Sequence, residues 1–106
     1  MLEKLKAANI QRQREWDSDK QLSLLFYGVA LAGEVGEACN IIKKFERIRL
    51  GLKGGSATVD QLAVELADIV IYADLIATRA GIDLPKVVRE TFNAKSEELD
   101  FKTRIE

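Results

Sequence analysis

Two pairs of carboxylates have the spacing of one helical turn. The first pair is Glu34 and Glu37, and the second is Glu65 and Asp68. Side chains three residues apart on a helix lie on one face, with roughly 5–6 Å between their Cβ atoms. Each pair can therefore direct two carboxylates at one ion, and two facing helices would supply four. Such an oxygen-rich site suits a hard cation, either Mg²⁺ or Mn²⁺ as its substitute.

The residues around these acids distinguish them from a solvated helix face. Spacing alone is weak, because 17 acids in 106 residues give about three such pairs by chance. Other acids, such as Glu46 between Lys43 and Arg49, have basic residues one helical turn away, which is typical of exposed faces. The four acids have none, and their neighbours are mostly apolar. Because a charge removed from water must be paired or bound to metal, we expect a metal there. A strip of acids that merely faces solvent is the alternative.

Helices must position these acids, and the apolar periodicity predicts an all-α fold of four helices in a single domain, residues 1–106. The predicted helices run from about Leu2 to Trp16, Ser23 to Ile48, Thr58 to Ala80 and Asp83 to Leu99. Thr58 and Gln61 have the spacing of a capping box, and Gly81 suits the end of the third helix.

The third predicted helix is apolar around most of its circumference. Its polar strip is narrow and contains Gln61, Glu65, Asp68 and Tyr72. A helix that is apolar nearly all round is usually central in an assembly. A chain of 106 residues has too few other helices to cover every side of this one. We therefore expect this helix to pack against a second subunit as well.

Composition excludes several classes of function. The 16 basic and 17 acidic residues give a net charge of −1, which indicates neither a nucleic-acid partner nor a membrane partner. One cysteine, Cys39, and no histidine exclude an intrachain disulfide, a Cys–His zinc site and Ser–His or Cys–His catalysis. We expect Cys39 to be a small buried residue. The first residues do not resemble a signal peptide, and the longest apolar stretches are too short and too interrupted to span a bilayer, so we expect a cytoplasmic protein.

Two segments resemble the MazG-like nucleotide pyrophosphohydrolases. They are LAGEVGE at residues 31–37 and ELAD at residues 65–68, in that order. The GIDL turn at residues 81–84 and the Phe92–Asn93 pair are also similar to that family, so the resemblance covers about residues 16–96. It implies a four-helix-bundle-like fold that assembles as a homodimer or homotetramer. It also implies cleavage of nucleoside triphosphates, (d)NTP, to the monophosphate and pyrophosphate, as in cleansing of the nucleotide pool.

The resemblance also implies roles for single residues. Glu34, Glu37, Glu65 and Asp68 correspond to the family's metal ligands. Glu37, and after it Glu34, is the candidate catalytic base, because Glu34 has purely apolar neighbours. Asn93 matches an asparagine of the family's nucleotide site. Gly33 is a departure, because many members carry a further Glu there.

Several other residues are candidates for contacting a nucleotide. Lys44 lies two turns after Glu37 on the same face and could meet phosphate. Trp16, Phe26 and Tyr72 could stack on a base, although core packing is the commoner role of aromatic residues at helical spacing.

Three alternatives remain open from the sequence. Within the enzyme class, dUTP and phosphoribosyl-ATP hydrolysis use related acidic helices. A non-catalytic helical module could use the same carboxylates for metal-dependent assembly or nucleotide sensing. The third is a helical oligomer whose acids only face solvent.

Overall fold

The computed structural model describes all residues, 1–106, and its regular structure is entirely helical. The helices are α1 (Leu2–Trp16), α2 (Leu24–Arg49), α3 (Val59–Arg79) and α4 (Leu84–Glu98). No strand is present. The predicted all-α class is confirmed, and each predicted helix end lies within one residue of the observed end.

Local signals explain these ends. The Thr58 hydroxyl accepts a hydrogen bond from the Gln61 backbone N–H at 3.1 Å, and the Gln61 side chain accepts one from the Thr58 N–H at 2.8 Å. This reciprocal pair is the predicted capping box, and it begins α3. Gly81 follows α3 with a φ of +73°, a left-handed conformation that favours glycine. The Asp83 carboxylate then accepts a hydrogen bond from the Lys86 N–H and caps α4.

Helix α3 is the centre of the arrangement. It packs along α2 over most of its length and also against α1, while α4 touches only α1 and α3, and slightly. A polar contact joins α1 to α3, because the buried Asn9 amide donates to Asp74 at 2.8 Å and to the Ile71 carbonyl at 3.3 Å. The apolar character of α3 therefore matches its position between neighbours.

A single chain buries few of its residues. Only 7 of 106 residues are buried, and the apolar ones among them are Tyr27, Ala38, Leu75 and Ala77. The radius of gyration is 17.2 Å, against about 13 Å for a compact chain of this length. The accessible surface is 7873 Å², against roughly 5,900 Å² for a folded monomer of 11.8 kDa. Within one chain, the four helices therefore do not close around a shared core.

Helix α2 meets the length and composition of a membrane-spanning helix. Its most apolar 18 residues have a mean hydropathy of 1.3, and 11% of them are buried. The prediction that no stretch is apolar and long enough was therefore wrong for this helix. The core helix of a soluble protein passes the same test, so the property alone does not assign α2 to a membrane.

Candidate metal centre

The packing of α2 along α3 brings three of the four predicted acids together. Glu34 and Glu37 are one turn apart on α2, and Glu65 of α3 faces them. One carboxylate oxygen from each side chain lies within 4.8 Å of the other two. We call these three residues the acidic cluster. The helical spacing supplies the pair on α2, and the helix–helix contact supplies the third carboxylate.

Crowding of like charges changes the ionisation of Glu65. A hydrogen bond with Glu34, loss of hydration and the nearby Glu37 carboxylate together raise the pKa of Glu65 from 4.5 to about 7. One Glu65 oxygen, Oε2, is shielded from solvent and receives no hydrogen bond from any N–H group. A proton shared with Glu34, or a cation, can satisfy that oxygen.

No basic side chain neutralises the acidic cluster. The five ion pairs of the chain all involve other acids, such as Glu46 with Arg49 and Glu98 with Lys95. The three members differ in exposure, because Glu34 and Glu65 are half-buried while Glu37 is exposed. The cluster is thus an all-oxygen set with uncompensated negative charge, which has the chemistry of a site for a hard divalent cation.

Asp68 lies next to the acidic cluster but is not part of it. It follows Glu65 by one turn of α3, and its oxygens are not among those within 4.8 Å of one another. Asp68 instead lines a cavity of about 410 Å³ between α1 and α3. We call this the α1–α3 cavity. Its lining residues are Arg12, Gln13, Glu15, Trp16, Asp68, Ile71, Tyr72 and Leu75.

The predicted aromatic residues divide between two environments. Trp16 and Tyr72 both line the α1–α3 cavity, beside Asp68. Phe26 does not line it. Phe26 packs between Trp16, at 6.4 Å between ring centroids, and Tyr27, at 5.7 Å and nearly edge-on. Phe26 therefore contacts other aromatic rings but is still 42% exposed in one chain, so it is not a core residue.

Two other residues that were predicted to contact a nucleotide, Lys44 and Asn93, are not members of the acidic cluster. Lys44 is half-buried, and its Cε lies 3.8 Å from the position that a Cβ on Gly55 would occupy, in the loop after α2. The Asn93 side chain is paired with the C-terminal tail. Its Oδ1 accepts from the Ile105 N–H at 2.7 Å, and its Nδ2 donates to the Ile105 carbonyl at 2.8 Å. Neither residue lines the α1–α3 cavity.

Sequence reasoning missed some polar residues near the site. The buried Asp74 pairs with Asn9, and Arg12 and Gln13 line the α1–α3 cavity. A signal for Asp74 was present, because it has no Lys or Arg three or four residues away, like the four predicted acids. The α1 residues gave no such signal, because they acquire their position only when α1 packs on α3.

Cys39 was predicted to be buried, and the structure corrects this. It is exposed, because it lies on a face of α2 that neither α1 nor α3 covers. Two apolar residues on the same face, Val35 and Ile42, are also 40% and 51% exposed. The prediction followed the general tendency of free cysteine to be buried, which does not hold on this uncovered face of α2.

The structure is therefore an all-α chain with a cluster of three acidic residues, between two long helices, that could hold a metal ion. In comparisons with known proteins, no protein-family profile matches this chain and no curated protein matches it.

Proposed function

We propose that this chain is a Mg²⁺-dependent nucleoside triphosphate pyrophosphohydrolase with a MazG-like fold. It would convert (d)NTP to (d)NMP and pyrophosphate. The observation that carries the proposal is the acidic cluster, in which Glu34, Glu37 and Glu65 converge to within 4.8 Å without a basic partner. The sequence pattern that resembles the family supplies the reaction class.

The residues present fit a divalent cation. All donors are carboxylate oxygens, which Mg²⁺ and Mn²⁺ prefer, and the shielded Glu65 oxygen has no N–H partner. Glu34, Glu37 and Glu65 would hold the ion, with Asp68 one turn away as the fourth ligand. When bound, the ion would neutralise negative charge on the triphosphate and act as a Lewis acid.

The exposure of Glu34 and Glu37 suggests which of them holds the ion and which accepts a proton. Glu37 is exposed and is therefore placed to accept a proton from the attacking water, as a general base. Glu34 is half-buried and lies beside Glu65, which favours a holding role for it. Both residues stay candidates for the catalytic base, with Glu37 first.

The α1–α3 cavity is the proposed nucleotide pocket. It opens beside Asp68 and has Trp16 and Tyr72 in its wall, so a base can stack there while the phosphates reach the acidic cluster. Its volume of about 410 Å³ falls within the usual range of roughly 300–1,000 Å³ for small-molecule sites. Phe26, Lys44 and Asn93 lie outside this cavity and remain proposed substrate contacts from the sequence.

A homodimer or homotetramer is the proposed assembly. One chain exposes roughly 2,000 Å² more surface than a compact monomer of its size. If a second chain covered this excess surface, the interface would have the size of an obligate one, which buries about 2,000–5,000 Å² over both partners. Leu66 and Val70, one turn apart on α3, are 49% and 45% exposed and lie on the uncovered part of α3.

We propose a cytoplasmic location, with α2 covered by protein and not by lipid. Glu37 lies at the middle of α2, and Glu34 lies one turn before it. An acidic residue at the centre of a membrane-spanning helix costs about 3 kcal/mol in insertion measurements. A second protein chain can cover the apolar side of α2 and leave these carboxylates facing α3.

A product assay tests the proposal. Purified protein is incubated with each common NTP and dNTP plus Mg²⁺, and the products are resolved. We expect monophosphate plus pyrophosphate, lost with a chelator and in Glu37→Gln but kept in Glu90→Gln, whose acid lies on α4. Diphosphate plus phosphate would show that the proposed bond is the wrong one.

One observation favours a second candidate, a non-catalytic module that binds metal or nucleotide. Gly33 stands where many members of the resembled family carry an acid, so one carboxylate near the cluster is missing. This candidate predicts that Mg²⁺ or nucleotide raises the melting temperature without any turnover, and that Glu34→Gln abolishes the rise with Mg²⁺.

A further inference from the structure

A second cavity lies where α1, α3 and the α1–α2 connection meet. Its volume is about 340 Å³, and only three of its eleven lining residues are hydrophobic. Its lining contains none of the four carboxylates discussed above. We call it the polar cavity, and its lining residues are Asn9, Ile10, Gln13, Arg14, Asp17, Ser18, Lys20, Tyr27, Leu75, Thr78 and Arg79.

The polar cavity has an excess of positive charge, although the whole chain has a net charge of −1. None of its cations, Arg14, Lys20 and Arg79, is in an ion pair. The one acid in its lining is Asp17. The Asp17 carboxylate accepts hydrogen bonds from the backbone N–H groups of residues 21 and 22, at 3.0 and 3.1 Å. Three unpaired cations around one small cavity attract an anion.

One cation is held in place across the cavity. The Arg79 guanidinium, at the end of α3, donates to the Lys20 carbonyl at 3.1 Å. Lys20 itself has a φ of +55°, so the connection turns sharply there. This contact uses one N–H of Arg79 and leaves the others free for a ligand, in a geometry suited to phosphate.

Two hydroxyl groups in the wall have unused hydrogen-bonding capacity. Thr78 Oγ1 is buried and has no partner. The Tyr27 side chain is 1% exposed, and its oxygen accepts from the Gln13 amide, so its own proton has no acceptor in the protein. Burial, and then the Asp17 carboxylate, raise the pKa of Tyr27, which keeps this hydroxyl protonated at neutral pH. Buried polar groups normally have partners, so these donors point to a ligand with acceptor oxygens.

We propose that the polar cavity binds the phosphate group of a small anion. Arg14, Lys20 and Arg79 neutralise its charge, and the hydroxyls of Tyr27 and Thr78 donate to its oxygens. The volume is near the lower end of about 300–1,000 Å³ for ligand sites, which suits inorganic phosphate, pyrophosphate or a small phosphate ester. The polar cavity contains no residue of the acidic cluster, and its assignment does not rest on the proposed function, although it shares Gln13 and Leu75 with the α1–α3 cavity.

Calorimetric titration tests this site with inorganic phosphate, pyrophosphate and AMP as probes. The protein is kept in a chelator, so that no metal in the acidic cluster can hold phosphate. We expect saturable binding of at least one probe, weakened by added salt and at least tenfold weaker in Arg79→Gln. Arg89→Gln removes an exposed cation of α4 and should leave the affinity unchanged.

The probe that binds identifies the source of the phosphate group. Binding of inorganic phosphate or pyrophosphate supports a free anion, and binding of AMP alone supports a phosphate ester. If Arg79→Gln loses its helical circular dichroism, Arg14→Gln replaces it, because Arg14 bonds only within α1. The proposal is overturned if no probe binds the wild-type chain, or if Arg89→Gln weakens binding as much as the cavity variant.

Discussion

Glu65 is the residue whose ionisation the fold controls most directly. Its neighbours Glu34 and Glu37 raise its pKa to about 7, above the value of 4.5 expected without them. A carboxyl group with a raised pKa stabilises the folded chain while it is protonated. That contribution is complete below about pH 4.5 and is lost as the pH rises through about 7.

The first prediction follows for the metal-free protein. Glu65→Gln imitates the protonated acid, so its melting temperature should exceed that of the wild type by more at about pH 8 than at about pH 5. Thermal melts across this range in a chelator measure the difference. Glu90→Gln, on α4, is the control, and its melting temperature should differ from that of the wild type by the same amount at each pH. A difference for Glu65→Gln that does not grow with pH would show that Glu65 ionises normally.

The second prediction concerns Gly33, beside the acidic cluster. A Cβ added there meets no atom within 4 Å, so larger side chains fit. Gly33→Ala should raise the free energy of unfolding by about 1 kcal/mol, because glycine is a poor helix former. Gly33→Glu should add a carboxylate beside Glu34 and increase pyrophosphohydrolase turnover by at least about tenfold over Gly33→Ala. Equal turnover in the two variants would show that the missing acid has no catalytic consequence.

At the scale of helices and connections, the tail after α4 is held by the side chains of two residues, Asn93 and Arg104. Asn93 pairs with both backbone polar groups of Ile105, and Arg104 reaches Glu97 at 2.8 Å. These contacts hold the last residues of the chain against α4. They also use one donor and one acceptor of the Asn93 amide, which leaves one of each for a nucleotide while the tail is in place.

The third prediction is that Asn93 fixes this tail. Asn93→Ala removes both hydrogen bonds and should speed hydrogen exchange at the Ile105 amide, with a loss of about 1 kcal/mol in unfolding free energy because the bonds are partly exposed. Asn93→Asp keeps the acceptor for the Ile105 N–H and loses the donor, so its exchange rate should be intermediate. Identical exchange in the wild type and both variants would mean that the tail is held elsewhere.

The sequence predicted the helices well because their ends depend on nearby residues. Thr58 with Gln61, Gly81, and Asp83 before Pro85 are signals that act within one or two turns. The pairing of Glu34 with Glu37 was also predictable, because it needs only helical spacing. The approach of Glu65 was expected from the order of the two acidic segments, and Asp68, expected as the fourth ligand, is not among the converging acids.

Other contacts were not predictable because they join distant residues. Asn9 meets Asp74 across 65 positions, and Asn93 meets Ile105 across 12. Such pairs depend on how helices are placed relative to one another, which periodicity does not specify. The exposure of Cys39 has the same cause, because periodicity shows that a face is apolar but not what covers it.

The shape of the whole chain follows from its distribution of apolar residues. Helix α3 is apolar on several sides, yet α1, α2 and α4 cover only part of it, which leaves Val59, Val64, Leu66 and Val70 at least 45% exposed. The overall dimensions are 46 × 44 × 22 Å, those of a flat slab. A flat slab with an apolar face has too little buried area for a stable monomer and can gain it by pairing.

The fourth prediction is that self-association supplies the missing core. Light scattering after size exclusion should give a mass of twice or four times 11.8 kDa for the wild type. Leu66→Lys places a charge on the exposed face of α3, so it should shift the protein toward the monomer and lower its melting temperature. Leu52→Lys changes a 60% exposed residue of the α2–α3 connection and should keep the wild-type mass. A folded wild type of 11.8 kDa at every concentration would refute pairing, and equal dissociation of both variants would show that the α3 face is not the interface. If Leu66→Lys alone dissociates, α3 acquires in the assembly the central position that its apolar circumference requires.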